Sequence, residues 1–338
     1  MIDAGSGSPF TTSEGEAYAL FFALAANDRP TFDAVLAWTD ANLCGGFCDE
    51  TLPAWRWGEL PAEPLKSGRG SSVKAEPRFG ITDTNNASDA DLWIAYALLE
   101  GGRLWQDPEL TRRARVLMER LKKEVRTVPE LGRVLLPGRG GFERADGVTL
   151  NPSYTPLFLL RRLADEEPAF WRPLYEGTVR MLIRSAPDGI SPDWVTFDRM
   201  GKVKPDPNSV SSYDAVRVYM WAGMLSEDSP ERALLVERFR PMTELIHARR
   251  SVPVRVNVTT GEAEGTGSGG FAAAMLPLMG NTRTGALLRA AAEDTPIGAD
   301  SYYSSVLVLF GCGFADRRFG FDANGRLISA AFSDRCCA

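Results

Sequence analysis

The apolar residues of this chain recur with helical spacing along almost its whole length, and that pattern leaves room for little but a helical fold. The spacing predicts helices over 15–26, 30–43, 89–101, 108–125, 154–165, 168–185, 213–223, 229–248, 271–279, 283–293 and 299–312, eleven in all. Strand signals are short and few, the clearest being Val134-Leu135-Leu136 and the run Val252-Pro253-Val254-Arg255-Val256. A parallel sheet or a β-sandwich is therefore not expected. Some helices are apolar almost all round, as in the run from Tyr18 to Ala26, whereas 108–125 carries a long polar face. Such alternation is what concentric helical hairpins require, because an inner ring is covered on every side and an outer ring faces water. The stretches 59–80 and 201–210 interrupt the helices without a shift in composition, so the expectation is one all-α domain spanning 1–338.

Composition limits what such a fold does. With 44% hydrophobic residues in 338, the chain can bury a large core, and a net charge of -6 without a basic stripe argues against a nucleic-acid partner. No apolar run reaches the roughly 18 residues of a membrane span, and Met1-Ile2-Asp3-Ala4 has neither part of a signal peptide. Membrane insertion is not expected. Cys44, Cys48, Cys312, Cys336 and Cys337 meet a single histidine, His247, too few ligands for a zinc site, which leaves a local disulfide or free thiols. No metal or organic cofactor is expected.

Chemistry concentrates where three predicted helices begin. Ser13-Glu14-Gly15-Glu16, Ser88-Asp89-Ala90-Asp91 and Ser211-Ser212-Tyr213-Asp214 each place an acid three residues after a serine, the spacing of a capping box. Taken singly, each is a helix cap. Taken together, they lead into the most apolar helices, and parallel inner helices would bring their acids to one rim. Two carboxyls flanking a bond are what glycoside hydrolysis needs, one to protonate the leaving oxygen and one to activate water or attack the sugar. Aromatic faces that stack on pyranose rings are available outside helical patterns at Trp55, Trp57, Trp194 and the Tyr302-Tyr303 pair. Trp38, Trp93, Trp105, Trp171 and Trp221 fall inside helical patterns and are expected in the core. Rival motifs lack parts: Asp83-x-Asn85 starts like a calcium loop without its later glycine and glutamate, and Gly138-x-Gly140-Gly141 has no lysine or following helix. His247 ends a helical pattern as a dipole partner or surface residue.

The run Ala87-Ser88-Asp89-Ala90-Asp91-Leu92-Trp93-Ile94-Ala95-Tyr96-Ala97-Leu98-Leu99, continuing to Trp105, resembles the signature of glycoside hydrolase family 8, with Gly101 where that pattern usually has Ala. Thr11-Thr12-Ser13-Glu14-Gly15-Glu16-Ala17-Tyr18, Asn151-Pro152-Ser153-Tyr154, Ser191-Pro192-Asp193-Trp194 and Ser212-Tyr213-Asp214-Ala215-Val216-Arg217 are similar to the branch of periplasmic endoglucanases from bacterial cellulose synthase operons. The resemblance implies an (α/α)6 barrel and inverting hydrolysis of β-1,4-glucan. By motif it implies Glu14 as general acid, Asp214 as general base, Asp89 as an acid that binds and distorts the sugar, and Arg217 as the residue holding the base. Trp55, Tyr154, Trp194, Tyr302 and Tyr303 fall in stretches that line the family's cleft. Glucan chains or cello-oligosaccharides, and a cellulose synthase complex, are the implied partners, in the periplasm or outside the cell. The family has an export signal and a helix ahead of the acid, whereas 13 residues precede Glu14 here: either the chain starts internally or the barrel lacks its first helix. A xylanase or chitosanase on the same barrel, and a non-catalytic glucan-binding scaffold, are the competing readings.

Overall fold

A computed structural model describes residues 1–5, 7–48, 50–61, 77–298 and 301–333. Cys336, Cys337, the first two residues of the helix predicted at 299–312 and most of the stretch 59–80 lie outside the described residues. The helices run as hairpins: α1 (Ser13–Ala25) with α2 (Arg29–Leu43), α3 (Ser88–Leu104) with α4 (Pro108–Leu121), and α5 (Leu157–Glu166) with α6 (Pro168–Ser185). Then follow α7 (Ala215–Met224), α8 (Pro230–Arg238), α9 (Arg240–Arg249), α10 (Gly269–Ala274), α11 (Leu276–Met279), α12 (Arg283–Glu293), α13 (Tyr302–Ala315) and the short α14 (Ala330–Ser333).

The first two hairpin turns reuse one local device. Asn27 and Gln106 adopt left-handed φ values of 55° and 56°, which end α1 and α3. The next residue, Asp28 or Asp107, accepts backbone N–H groups of the following helix, and Pro30 or Pro108 occupies its first turn, where no amide hydrogen is missed.

Burial separates two rings. Every residue of α7 and nearly all of α3 are buried, whereas α4 and α9 bury one stripe each. The inner ring is α1, α3, α5, α7, α10 with α11, and α13. It closes through aromatic contacts, with Phe310 of α13 packed 5.0 Å from Tyr18 and 5.3 Å from Phe21 of α1, and Trp93 of α3 lying 5.5 Å from Trp221 of α7. The architecture is an (α/α)6 barrel. Five outer positions are held by α2, α4, α6, α8 with α9, and α12; among the described residues α13 has no long outer helix of its own and is followed by the hairpin Phe319–Phe321/Leu327–Ser329.

Several expectations change in detail. The helix expected over 229–248 is two, because Pro241 cannot donate the hydrogen bond that would carry it past Phe239, and 271–279 is likewise divided ahead of Pro277. Short antiparallel strands are more numerous than the two signals expected, forming five sheets of two or three strands among the described residues. Trp93, Trp171 and Trp221 are core, but Trp38 and Trp105 are half-buried: Trp38 packs on Trp57, and the Trp105 indole N–H reaches Asn27 Oδ1 at 2.9 Å. Trp57 itself lies in the strand Arg56–Glu59, and Tyr302 and Tyr303 open α13 instead of lying in a loop. Cys44 and Cys48 form a disulfide, with Cys312 a free thiol.

Candidate active site

The starts of α1, α3, α7 and α13 meet at one rim of the barrel. Their side chains converge on one guanidinium. Arg217 Nη2 donates to Asp214 Oδ1 at 2.7 Å, while Nη1 bonds Glu14 Oε2 and the Tyr18 hydroxyl, and lies 3.5 Å from Asp89 Oδ2. Arg217 and Asp214 stand one helical turn apart, which makes the pair a local consequence of α7. Arg217 and Asp89 are 4% and 3% exposed at the side chain, against 20% for Glu14 and 28% for Asp214. Arg217 and Asp89 thus form a floor, and Glu14 and Asp214 open above it.

Electrostatics follow from three carboxyls sharing one cation. Burial pushes the Asp89 carboxyl well above the usual carboxylate range, the Glu14 charge adds to the rise, and Arg217 together with the Ala90 N–H only partly offsets it. Asp89 Oδ1 accepts the Ala90 amide at 2.8 Å, and Oδ2 is buried without a hydrogen bond. Asp89 therefore keeps a proton to higher pH than an exposed acid. The Arg217 guanidinium is held charged by Glu14, which together with its other neighbours outweighs burial.

The capping boxes expected here do not form. Thr12, in an extended conformation, caps α1 by accepting Gly15 N–H at 3.1 Å, while Ser13 Oγ and Ser88 Oγ are buried without partners and Ser211 Oγ contacts the Tyr219 hydroxyl at 3.0 Å. Glu16 turns instead to Thr11 Oγ1, and Asp91 to the Asn86 amide at 2.7 Å. The cap of α7 comes from another loop: Asp193 Oδ1 accepts both Ser212 N–H and Ala215 N–H at 2.8 Å, fixing the turn that presents Asp214.

The aromatic residues fall in three places around this floor. Tyr302 donates its hydroxyl to Glu14 Oε1 at 3.2 Å, and Tyr303 donates to the Tyr213 carbonyl beside Asp214. Tyr154 lies 5.9 Å from the Arg217 guanidinium and edge-on to Trp194 at 5.8 Å; Trp194 is 39% exposed and stacks parallel on Phe142. Trp55 is half-buried beside the start of α1, with its carbonyl accepting Ser13 N–H at 2.9 Å and Arg56 over its ring. Each expected site residue is thus gathered around Arg217 or in a loop bonded to the helix starts.

Tyr18, Asp193 and Phe142 belong to this arrangement without having been expected there. Tyr18 sits four residues after Glu14, one helical turn along the same face, and that spacing was a usable signal. Nothing local marks Asp193 or Phe142, because their partners lie tens of residues away.

The chain matches the glycosyl hydrolases family 8 over residues 1–317. It is 42% identical over 331 residues to an endoglucanase of Escherichia coli O157:H7, an alignment covering 97% of this chain and 86% of that protein. An endoglucanase of Xanthomonas axonopodis pv. citri (strain 306) is 41% identical over 337 residues, covering 97% of this chain and 84% of the relative. The crystal structure of endo-1,4-D-glucanase from Vibrio fischeri ES114 superposes with a TM-score of 0.89 at 39% identity, covering 98% of this chain and 94% of that one. Barrel, clustered acids and similarity agree, and the chain belongs to glycoside hydrolase family 8.

Proposed function

We propose that this chain is an endo-β-1,4-glucanase that works as one catalytic unit and inverts the configuration at the anomeric carbon, with Glu14 as general acid and Asp214 as general base. The observation that carries the reading is Arg217, whose separate nitrogens bond Glu14 and Asp214 while both carboxyls stay open to the rim. In an inverting enzyme a water occupies the space between base and sugar. Glu14 gives its proton to the glycosidic oxygen as the bond from the anomeric carbon to that oxygen breaks. Asp214 takes a proton from the water, whose oxygen bonds the opposite face of the same carbon. Arg217 orients Asp214 for that task through their 2.7 Å hydrogen bond, and Asp89, whose Oδ2 has no hydrogen bond, is the floor acid that meets a sugar hydroxyl when the chain binds. Tyr154, Trp194 and Trp55 offer ring faces for pyranose stacking.

The endoglucanase names of the relatives support β-1,4-glucan chains or cello-oligosaccharides as substrate. We extend the reading to a periplasmic or secreted enzyme acting beside a bacterial cellulose synthase complex, as the motif resemblance implies. No described helix is long and apolar enough to cross a membrane. The test is turnover on carboxymethylcellulose, xylan and chitosan beside binding and cleavage of one defined cello-oligosaccharide. Internal cleavage of the glucans alone is expected; preference for xylan or chitosan, or binding without cleavage, would overturn the reading.

Asp89 separates stability from activity. A carboxyl whose folded pKa is raised contributes fully to stability only below its unfolded value, and that contribution is lost as pH climbs through the folded pKa. Asn is neutral throughout. Asp89→Asn is therefore expected to melt higher than the parent, by a margin that widens from acid to alkaline pH. Its kcat/KM should fall about 3- to 10-fold, the worth of one hydrogen bond from a neutral carboxyl to the sugar. Melting curves from pH 4 to 9 beside cello-oligosaccharide kinetics check both; a constant margin with normal turnover would reduce Asp89 to packing.

A further inference from the structure

The segment Asp83-Thr84-Asn85-Asn86 looked like an incomplete calcium loop, and its polar side chains are used for something else. Asp83 Oδ1 accepts Asn85 N–H at 2.9 Å, and the Asp83 carboxylate also takes the indole N–H of Trp55, two bonds that hold its pKa below the ordinary value. The Asn85 carbonyl accepts the Trp55 backbone N–H at 2.7 Å. On its other side, the Asn85 side chain pairs with the backbone of one residue at two points: Oδ1 accepts Gly140 N–H at 3.2 Å and Nδ2 donates to Gly140 O at 3.1 Å. Asn86 Oδ1 adds the Arg139 amide at 2.8 Å.

The partner loop needs such a clamp. Gly138 packs against the Asn86 carbonyl so closely that a Cβ there would lie 2.4 Å from it, Gly141 has φ +94°, and a Cβ on Gly141 would touch nothing. Side chains therefore do little to order Gly140 and Gly141. Immediately after them comes Phe142, whose ring lies 5.8 Å from Trp194 at an interplanar angle of 3°. One short segment thus grips the loop behind Trp194 with Asn85 and Asn86, and Trp55 with Asn85 and Asp83, just ahead of Asp89.

We propose that Asn85 is a positioning residue that sets the Trp194 platform through the Gly140-Gly141-Phe142 loop, and so governs how tightly the cleft holds a glucan chain. The proposal rests on the reading of Trp194 as a sugar platform. Glu14, Asp214 and Arg217 make no contact with the clamp, so chemistry is left alone while binding changes.

The test is a double-mutant cycle on a long cello-oligosaccharide, with melting temperatures and pH profiles for each variant. Asn85→Ala is expected to raise KM about five- to tenfold, because the loop must then be ordered by the substrate, with kcat within about twofold and an unchanged pH profile. Phe142→Ala should raise KM similarly, and the double variant no further, since both act through one platform. Asn85→Asp, which keeps the acceptor for Gly140 N–H but loses the donor, should fall between and carries the cycle if the Ala variant folds poorly. Additive effects of Asn85 and Phe142, or a loss confined to kcat, would overturn the clamp. Trp194→Ala with an unchanged KM would instead overturn the platform reading beneath it.

Discussion

Glu14→Gln is expected to lower kcat on cello-oligosaccharides by about 10²–10⁴-fold while leaving KM near its parent value. The amide keeps the shape of the side chain, and its one oxygen can still accept from Arg217, while the NH2 group facing Tyr302 donates to that hydroxyl instead of accepting from it. What it loses is the proton for the leaving oxygen. The fold should tolerate the change, since three carboxyls crowd one guanidinium and removing a charge relieves repulsion. Leaving-group dependence identifies the role. A dinitrophenyl β-cello-oligosaccharide departs without protonation, so the variant should recover most of its rate on that substrate. An equal loss on both substrates would mean that Glu14 positions the sugar instead of protonating it.

Asp214→Asn should lose a comparable factor by the opposite route, because the water between base and sugar then has no acceptor for its proton. The change also weakens one of the bonds that orient Arg217, although Glu14 and Tyr18 still hold Nη1. Azide attacks without needing a base, so it should restore turnover to Asp214→Ala and yield an α-glycosyl azide, with Glu14 still supplying the leaving-group proton. No rescue, or a β-azide, would remove Asp214 from the base role.

The barrel was legible because its evidence is local. All-round apolar helices such as α3 and striped ones such as α4 read directly as inner and outer positions, since burial and periodicity are the same fact seen twice. Helix ends were harder. Pro241 ends a helix, whereas Pro173, six residues into α6, is accommodated, so a proline in a helical pattern does not by itself place the break. The serine-acid spacing located the helix starts but named the wrong cap, because Thr12 and not Ser13 is the extended residue ahead of α1. Within the site, Arg217 and Asp214 share one turn of α7 and could be paired from spacing alone. That Arg217 also reaches Glu14, more than two hundred residues away, is a product of ring closure and has no local trace. The same holds for Asp193, which caps α7 from 19 and 22 residues upstream, and for Asn85, whose partner Gly140 is 55 residues on. Local spacing reveals the groups that react and hides those that hold them still.

The most direct test of the account is the configuration of the first product. Glu14 and Asp214 bond separate nitrogens of Arg217, and the mechanism proposed for them needs a water between base and sugar: in an inverting enzyme the working carboxyls stand about 6.5–9.5 Å apart, against about 5–5.5 Å where a carboxylate attacks the sugar itself. Proton NMR recorded in the first minutes of cello-oligosaccharide hydrolysis resolves the two anomers before mutarotation mixes them. Initial accumulation of the α-anomer is the expected result. Initial accumulation of the β-anomer would contradict the mechanism, even if every residue named here proved essential.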